Sequence, residues 1–488
     1  MTENSPLHPS ERSWILIACM LAMFMAAIEV TIVATAIPTI VADLGGFSQF
    51  GWVFSVYLLT QAVSVPLYGR LADLWGRRRM FFIGTSLFLL GSVLCGFASS
   101  MLWLIIFRAF QGLGAGAIMP LSSTIVADIY SPRERASVQG WLSSVWGVAA
   151  IIGPLTGAWL VQHYSWALIF WVNIPIGLIS MAMLARFLPA QGAQEKPQQL
   201  NVTGSVWLTL CVSALLMALL QAEWLGYWLM LFLLLALFAG WQLRRHELRA
   251  HAPLFPLEIW RSRLVLAGNA GNVIIGAAMM GISAFLPTWI QGITGGTPLQ
   301  AGSALAMMSI GWPLASTLSG HLMLRTSYRF TAQLGAFLLI VGCALLLLLR
   351  SDSTIYQAGA TAFVIGTGMG MTSTTFLVSV QNHAHYEIRG ICTASIMFSR
   401  MMGSAMGTAV MGAVLNLNLA QRLPQLQDPV QQIMSPQTRG ALPENVLQQM
   451  VQAIAASLHW VFVVAMVIAL FTLAVARAMP RQRPQHAE

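Results

Sequence analysis

The sequence predicts an all-helical protein that crosses a membrane many times, and three observations carry that expectation. Of 488 residues, 57% are hydrophobic and only 8% are charged, where a soluble chain carries about 25% charged residues. Mean hydropathy is +0.72. Apolar runs of roughly 20 residues, long enough to span about 30 Å of hydrocarbon, recur from end to end. They fall at 14–38, 51–71, 80–98, 102–124, 137–160, 168–188, 203–221, 226–243, 264–292, 298–324, 329–350, 353–381, 389–416 and 454–479. The count is about 14 spanning helices.

An even number of spans puts both termini on one side, and the basic residues choose which. With the N-terminus inside, cytoplasmic segments hold twenty of the 25 basic residues. The opposite side holds three (Arg350, Arg422 and Arg439), and Arg108 and Arg400 lie within helices. That asymmetry places both termini in the cytoplasm and accounts for the net charge of +9 without a nucleic-acid partner. The polar start, MTENSPLHPSER, precedes an apolar run too long for the core of a cleaved signal, so no signal peptide is expected. The five cysteines stand in or beside apolar runs without a CxxC pair and read as small packing residues.

The expected layout is a cytoplasmic tail at 1–13, a first bundle at 14–188, and a linker with two further spans at 189–263. A second bundle follows at 264–479, then a cytoplasmic tail at 480–488. Residues 189–201 (PAQGAQEKPQQLN) form the linker. A Gln- and Pro-rich loop at 418–452 lies outside the membrane, with amphipathic character at Pro443–Ile454.

Within this frame the first helix carries a single acid. Glu29 sits in MFMAAIEVTIVATAIP, and a charge at membrane depth costs about 2.5–3.5 kcal/mol on insertion scales, so such residues usually have a function. At 1.5 Å per residue, Glu29 lies about 13 Å below the outer end of its helix and Arg108 about 9 Å below the outer end of its own. A carboxylate at the depth of an arginine is a candidate proton carrier. The competing reading is a permanent bridge that locks the first bundle. Arg400, about 16 Å into its helix, also needs a partner there.

The loop after the second helix reads GRLADLWGRRRMF. Gly69 and Gly76 permit a tight turn, and Asp73 is placed to cap the next helix or to pair with Arg70, Arg77 or Arg78. That is a breakable clasp between helices. Asp128, followed by SPRER, is placed to join the same arginines. His383, His385 and Glu387 lack a fourth ligand nearby, so no metal site is expected.

The Gly69–Arg78 loop resembles the signature of the major facilitator superfamily. RAFQGLGAG, from Arg108, resembles that family's second signature. GVAAIIGPLTGAWL resembles its antiporter signature, with Gly147, Gly153, Pro154 and Gly157 in helix 5 and Ala158 where a second glycine is usual. TIVATAIP, FWVNIPIG, LPTWIQGITGGTPLQAG and the stretch 366–409 resemble the fourteen-helix drug:proton antiporter branch, over about residues 12–416 and the final helix. That branch usually carries Asp where this chain has Glu29. Two further departures are Leu324, where the second-half copy of the clasp (GHLMLRTSYR) would have an acid, and SWAL at 165–168, which lacks an arginine after the tryptophan.

The resemblance implies two six-helix bundles about a pseudo-two-fold axis, two extra helices inserted between them, and substrate bound between the bundles. It implies proton-coupled efflux of lipophilic neutral or monocationic drugs from a bacterial inner membrane, with Glu29 and Arg108 as the coupling pair. Candidate cavity residues are Tyr57, Gln61, Trp146, Trp289, Gln291, Trp312, Asn382 and Arg400. The alternative substrate is one endogenous metabolite, a siderophore, amino acid or lipid-like molecule, with the two buried arginines favouring an anion. No HExxH, GxSxG or GxxxxGK pattern occurs and Lys196 is the single lysine, so an enzyme or an ATP-driven pump is not expected. The energy source is then a proton gradient rather than a cofactor, and the expected form is a monomer whose partners are small molecules, protons and the bilayer.

Overall fold

Almost every apolar run becomes a helix, because in lipid a backbone amide has no partner except its own segment. The computed structural model describes residues 8–45, 50–189, 201–220, 226, 228–249, 259–423, 430, 433, 443–479 and 481. Its helices are α1 (Pro9–Leu44), α2 (Phe50–Trp75), α3 (Arg77–Gly96), α4 (Met101–Ile129), α5 (Arg135–His163), α6 (Leu168–Trp171), α7 (Asn173–Phe187) and α8 (Val202–Leu220). They continue as α9 (Trp228–Glu247), α10 (Arg263–Thr288), α11 (Pro298–Arg325), α12 (Tyr328–Leu347), α13 (Ile355–His383), α14 (Arg389–Arg422) and α15 (Glu444–Ala478). No strand occurs among the described residues. A π turn, Trp289–Ile293, extends α10.

Ten helical stretches among the described residues are long and apolar enough to cross a membrane. This is a multi-pass membrane protein. The helices α2, α11 and α14 fall outside that set, and α8 contributes only a shorter apolar stretch. Helix α2 carries Gln61, Arg70 and Asp73, and α14 carries Arg389, Arg400 and Asn416. The amphipathic stretch near Pro443 is the first turns of α15, continuous with the last helix. Both ends of the loop expected at 418–452 are helical, since α14 runs to Arg422 and α15 begins at Glu444, and most of 424–442 and of the expected linker lies outside the described residues.

The chain divides into two units. One runs to Leu266 and is rejoined by Leu377–Phe398; the other is Ala267–Phe376 with Ser399–Arg483. In the first unit α4 lies between α2 and α3, while α1 packs on α5 and α7. Small residues set those approaches. A Cβ on Gly114 would strike the backbone of Phe88 and Gly84 on α3, and one on Gly112 would strike the Tyr57 carbonyl on α2. The signature RAFQGLGAG is therefore a packing surface that lets α4 touch two neighbouring backbones. Against α1, a Cβ on Gly153 would overlap the Thr31 hydroxyl, which itself donates to the Ala149 carbonyl of α5 at 3.1 Å. The pair α8 and α9 packs together, and α8 lies on α2. Asn201 caps α8 at the Gly204 amide and donates to Glu247, at the end of α9, at 2.9 Å.

The second unit is joined by buried polar contacts. Ser373 donates to Asn272 at 3.1 Å, Ser399 to Asn269 at 2.8 Å, and Thr374 to Ser316 at 2.8 Å. One device recurs in both units. Arg78 donates to the Leu188 carbonyl at the end of α7, and Arg329 donates to the Met479 carbonyl at the end of α15, at 2.5 and 2.6 Å. Each arginine satisfies a helix C-terminus where carbonyls lack partners. The two clasp-like loops thus share their capping arginine, while Leu324 leaves the second without the acid.

Candidate functional site

Glu29 is fully buried in the first unit, 0% exposed, and Arg108 of α4 faces it at 1%. The Arg108 Nη1 donates to Glu29 Oε1 and to Gln111 Oε1, the latter at 2.7 Å. Its Nε donates to the Val53 carbonyl at 3.1 Å, and its guanidinium lies 4.1 Å from the Tyr57 ring centre. Removing one partner from such a pair leaves an uncompensated buried charge, an effect of about 3–5 kcal/mol. The depths estimated from sequence put the acid and the arginine at one level, and here they touch.

The rest of the shell is polar residues drawn from apolar helices. Asn173 Nδ2 donates to Glu29 Oε2, and also meets the Phe170 carbonyl at 3.1 Å and Ser92 Oγ at 3.3 Å. Gln111 Nε2 donates to Ser92 Oγ at 2.7 Å, and its Oε1 is 3.8 Å from Cys95 Sγ. Neither Ser92 nor Asn173 was expected as a site residue. Their signal in the sequence is weak: a serine and an asparagine inside otherwise apolar runs.

A second cluster forms around Asp73, at the end of α2 beyond its apolar run. Its side chain is 0% exposed. Arg77 Nη2 pairs with Oδ1 at 3.0 Å, the one-turn spacing set by residues 73 and 77. The amides of Gly390 and Ile391 donate to Oδ1 and Oδ2 at 2.9 and 2.8 Å. Asp73 thus caps the start of α14 rather than that of α3, and satisfies amides that a helix N-terminus leaves free. The Gly69 and Gly390 backbones meet closely: a Cβ on Gly390 would come 2.7 Å from the Gly69 carbonyl.

Further charges hold Leu377–Phe398 on this unit. Arg77 Nε lies 2.9 Å from Asp128 Oδ2, and Arg389 Nη1 donates to Asp128 Oδ1 at 2.5 Å. Arg77 also donates to the Tyr386 carbonyl and stacks on that ring, with 4.1 Å to its centre. Arg135 donates to Asn382 Oδ1, and Gln381 Nε2 donates to Ser123 Oγ at 3.1 Å. Burial pushes the Asp73 carboxyl up to about 7 from its ordinary 3.8, against the pull of Arg77 and the two amides. Gly76, with φ of 92°, makes the turn into α3 in a conformation open mainly to glycine.

Not every clasp residue acts on that segment. Arg78 reaches the carbonyls of Ala185 and Leu188, so it caps α7 instead of pairing with Asp73. Among the proposed cavity residues, Tyr57 lies buried under Arg108, and Gln61 is buried on α2. Asn382 belongs to the clasp through Arg135. In the second unit Trp289 packs against His459 and Phe462, with ring centres 5.1 and 5.7 Å away. Trp146, Gln291, Trp312 and Arg400 are half-buried, and Arg400 makes no ion pair with a described residue. In helix 5, Gly153 and Gly157 are buried, Pro154 lies inside the helix and Gly147 is half-buried. No metal-binding cluster occurs among the described residues.

Comparison with known proteins places these features. The Major Facilitator Superfamily profile matches residues 19–408. Multidrug transporter protein MdtP of Bacillus subtilis (strain 168) is 32% identical over 412 residues, covering 83% of this chain and 76% of that protein. Multidrug resistance protein 3 of the same organism is 28% identical over 488 residues, covering 95% and 94%. The crystal structure of the human organic anion transporter MFSD10 (TETRAN) superposes with a TM-score of 0.66 at 14% identity, over 96% of this chain and 100% of that one, a likeness of fold. The chain belongs to the major facilitator superfamily, whose members are membrane transporters of small molecules rather than enzymes.

Proposed function

We propose that this protein is a proton-coupled efflux antiporter, exporting lipophilic neutral or monocationic compounds by alternating access across a bacterial inner membrane. The observation that carries the proposal is Glu29, fully buried in an apolar helix and paired with Arg108. A permanent structural bridge could be replaced by apolar residues of similar volume without loss, whereas a proton carrier needs an acid with a counter-charge it can leave. The charge preference follows from counting: one membrane acid offsets one positive charge on a substrate. The names of the two Bacillus relatives agree with drug export. The excess of arginine in the segments assigned to the cytoplasm supports an inside location for both termini. In this reading the helices make fourteen spans, α6 and α7 together forming one, with the polar ones, α2, α11 and α14, shielded from lipid by neighbours.

The Asp73 cluster is read as the conformational latch. Its contacts hold the start of α14, within Leu377–Phe398, against the ends of α2 and α4 in the same unit. The test is transport by purified protein in liposomes with an imposed pH gradient. Wild type exports a monocationic dye against its gradient, and Glu29→Gln reconstitutes equally but does not. Gradient-driven export by Glu29→Gln at the wild-type rate overturns the assignment. Equal, Glu29-dependent export of a dicationic dye removes the charge preference alone. Export of an anionic metabolite and no dye favours the single-metabolite reading, to which Arg400, in no ion pair with a described residue, is suited.

A further inference from the structure

Every group bonded to Glu29 is a donor. Among the described residues, Arg108 Nη1 donates to Oε1 and Asn173 Nδ2 donates to Oε2. This shell suits a carboxylate, which only accepts. A protonated Glu29 has an O–H to place, and in this arrangement that hydrogen would face another hydrogen. Burying an O–H without an acceptor is strongly unfavourable, so some member of the shell must reverse.

The partners differ in whether they can reverse. Arg108 has no acceptor atom. The Gln111 Oε1 is held by Arg108 Nη1 at 2.7 Å, and its Nε2 by Ser92 Oγ at 2.7 Å, so both ends of that amide are engaged. Asn173 is different. Its Oδ1 is buried and accepts no hydrogen bond from a described residue. It is an idle acceptor on the same amide that already touches the acid. The other titratable or charged groups facing Glu29 are Arg108 of α4, Tyr57 of α2 and Cys95 of α3. Arg108 has no acceptor, and neither Tyr57 nor Cys95 is bonded to the carboxylate by a described contact.

We propose that Asn173 reads the protonation of Glu29: its amide donates to the carboxylate through Nδ2 and turns about Cβ–Cγ to accept from the carboxylic acid through Oδ1. This rests on Glu29 being the coupling acid. A proton from the medium adds to Glu29 and no other covalent bond changes. The turn has a structural consequence. Nδ2 leaves the Phe170 carbonyl of α6 and Ser92 Oγ of α3, while Ser92 keeps Gln111. One proton on α1 thereby changes the bonds that tie α7 to α3 and α6. Asn173 is a positioning residue rather than a carrier.

The test is infrared difference spectroscopy of lipid-reconstituted protein between acidic and alkaline pH, with asparagine carrying a heavy-isotope side-chain carbonyl. Wild type shows a protonated-carboxyl band and a pair of asparagine amide bands that shift with the label. Glu29→Gln loses the Glu29 component of the carboxyl signal, leaving that of Asp73 and the other acids, and loses the amide pair. In Asn173→Leu the amide pair is lost and the carboxyl band moves, because the acid has lost its acceptor. Gradient-driven export in Asn173→Leu falls about tenfold, the scale of one hydrogen bond to a charged group. Exchange without a pH gradient persists. A carboxyl signal identical in wild type and Glu29→Gln overturns the assignment of Glu29 itself. A Glu29-dependent carboxyl band with no isotope-sensitive amide pair in wild type overturns the role of Asn173 and leaves Glu29 standing. The label experiment needs no mutation at Asn173, so it decides the matter even if Asn173→Leu fails to fold.

Discussion

Replacing Asp73 by Asn weakens the hold of α2 on the first turn of α14, within the first unit, while changing almost no volume. The carboxylate accepts from Gly390 and Ile391 through separate oxygens and pairs with Arg77. An asparagine retains one acceptor oxygen, so one amide loses its partner and Arg77 loses one of its charges. Arg77 keeps Asp128 and the Tyr386 carbonyl and is not left alone. Hydrogen bonds to charged groups contribute about 1.5–3 kcal/mol each, so a net loss of roughly 3 kcal/mol is expected, which raises the opening equilibrium about 100-fold. A reporter is built in. Cys392 is fully buried in the first turn of α14, next to Ile391. In protein whose other four cysteines are replaced by serine, the maleimide labelling rate of Cys392 measures release of the segment. Asp73→Asn should label about 100-fold faster than wild type at pH 8. A rate within threefold of wild type, roughly the scale of a surface interaction, would refute the reasoning.

Gly114→Leu should destabilise the first unit by about 3 kcal/mol or more, since its side chain meets backbone on α3 rather than a movable side chain, and a lowered thermal unfolding midpoint would show it. Arg108→Lys should slow gradient-driven export at least tenfold, because one ammonium cannot serve Glu29, Gln111 and the Val53 carbonyl together. Wild-type export by that variant would mean the charge alone suffices.

Much of the fold was readable because a bilayer leaves the backbone few choices. Apolar runs became helices close to their expected limits. Glu29 and Arg108 stood out because charge is rare at membrane depth, and helix rise alone put them level. The partners of Asp73 were not readable. They are backbone amides more than three hundred residues away, and an amide has no signature in a sequence. Arg78 was grouped with the clasp by spacing, yet its length and the free carbonyls at the end of α7 take it elsewhere. Asn173 was hidden for a third reason. An asparagine near a helix start reads as ordinary capping, and only the geometry shows it bonded to the acid with an idle oxygen. Ten helical stretches among the described residues qualify as spans by length and composition where fourteen were expected.

Proton release on substrate binding tests the central claim most directly. Purified protein in weakly buffered detergent solution is mixed with saturating dye, and the change in pH is read with an indicator. If Glu29 exchanges its proton for substrate, wild type releases a proton per dye bound near neutral pH, and Glu29→Gln binds dye without releasing any. Equal proton release from wild type and Glu29→Gln would contradict the account, leaving Glu29 and Arg108 as a structural bridge and the coupling group elsewhere.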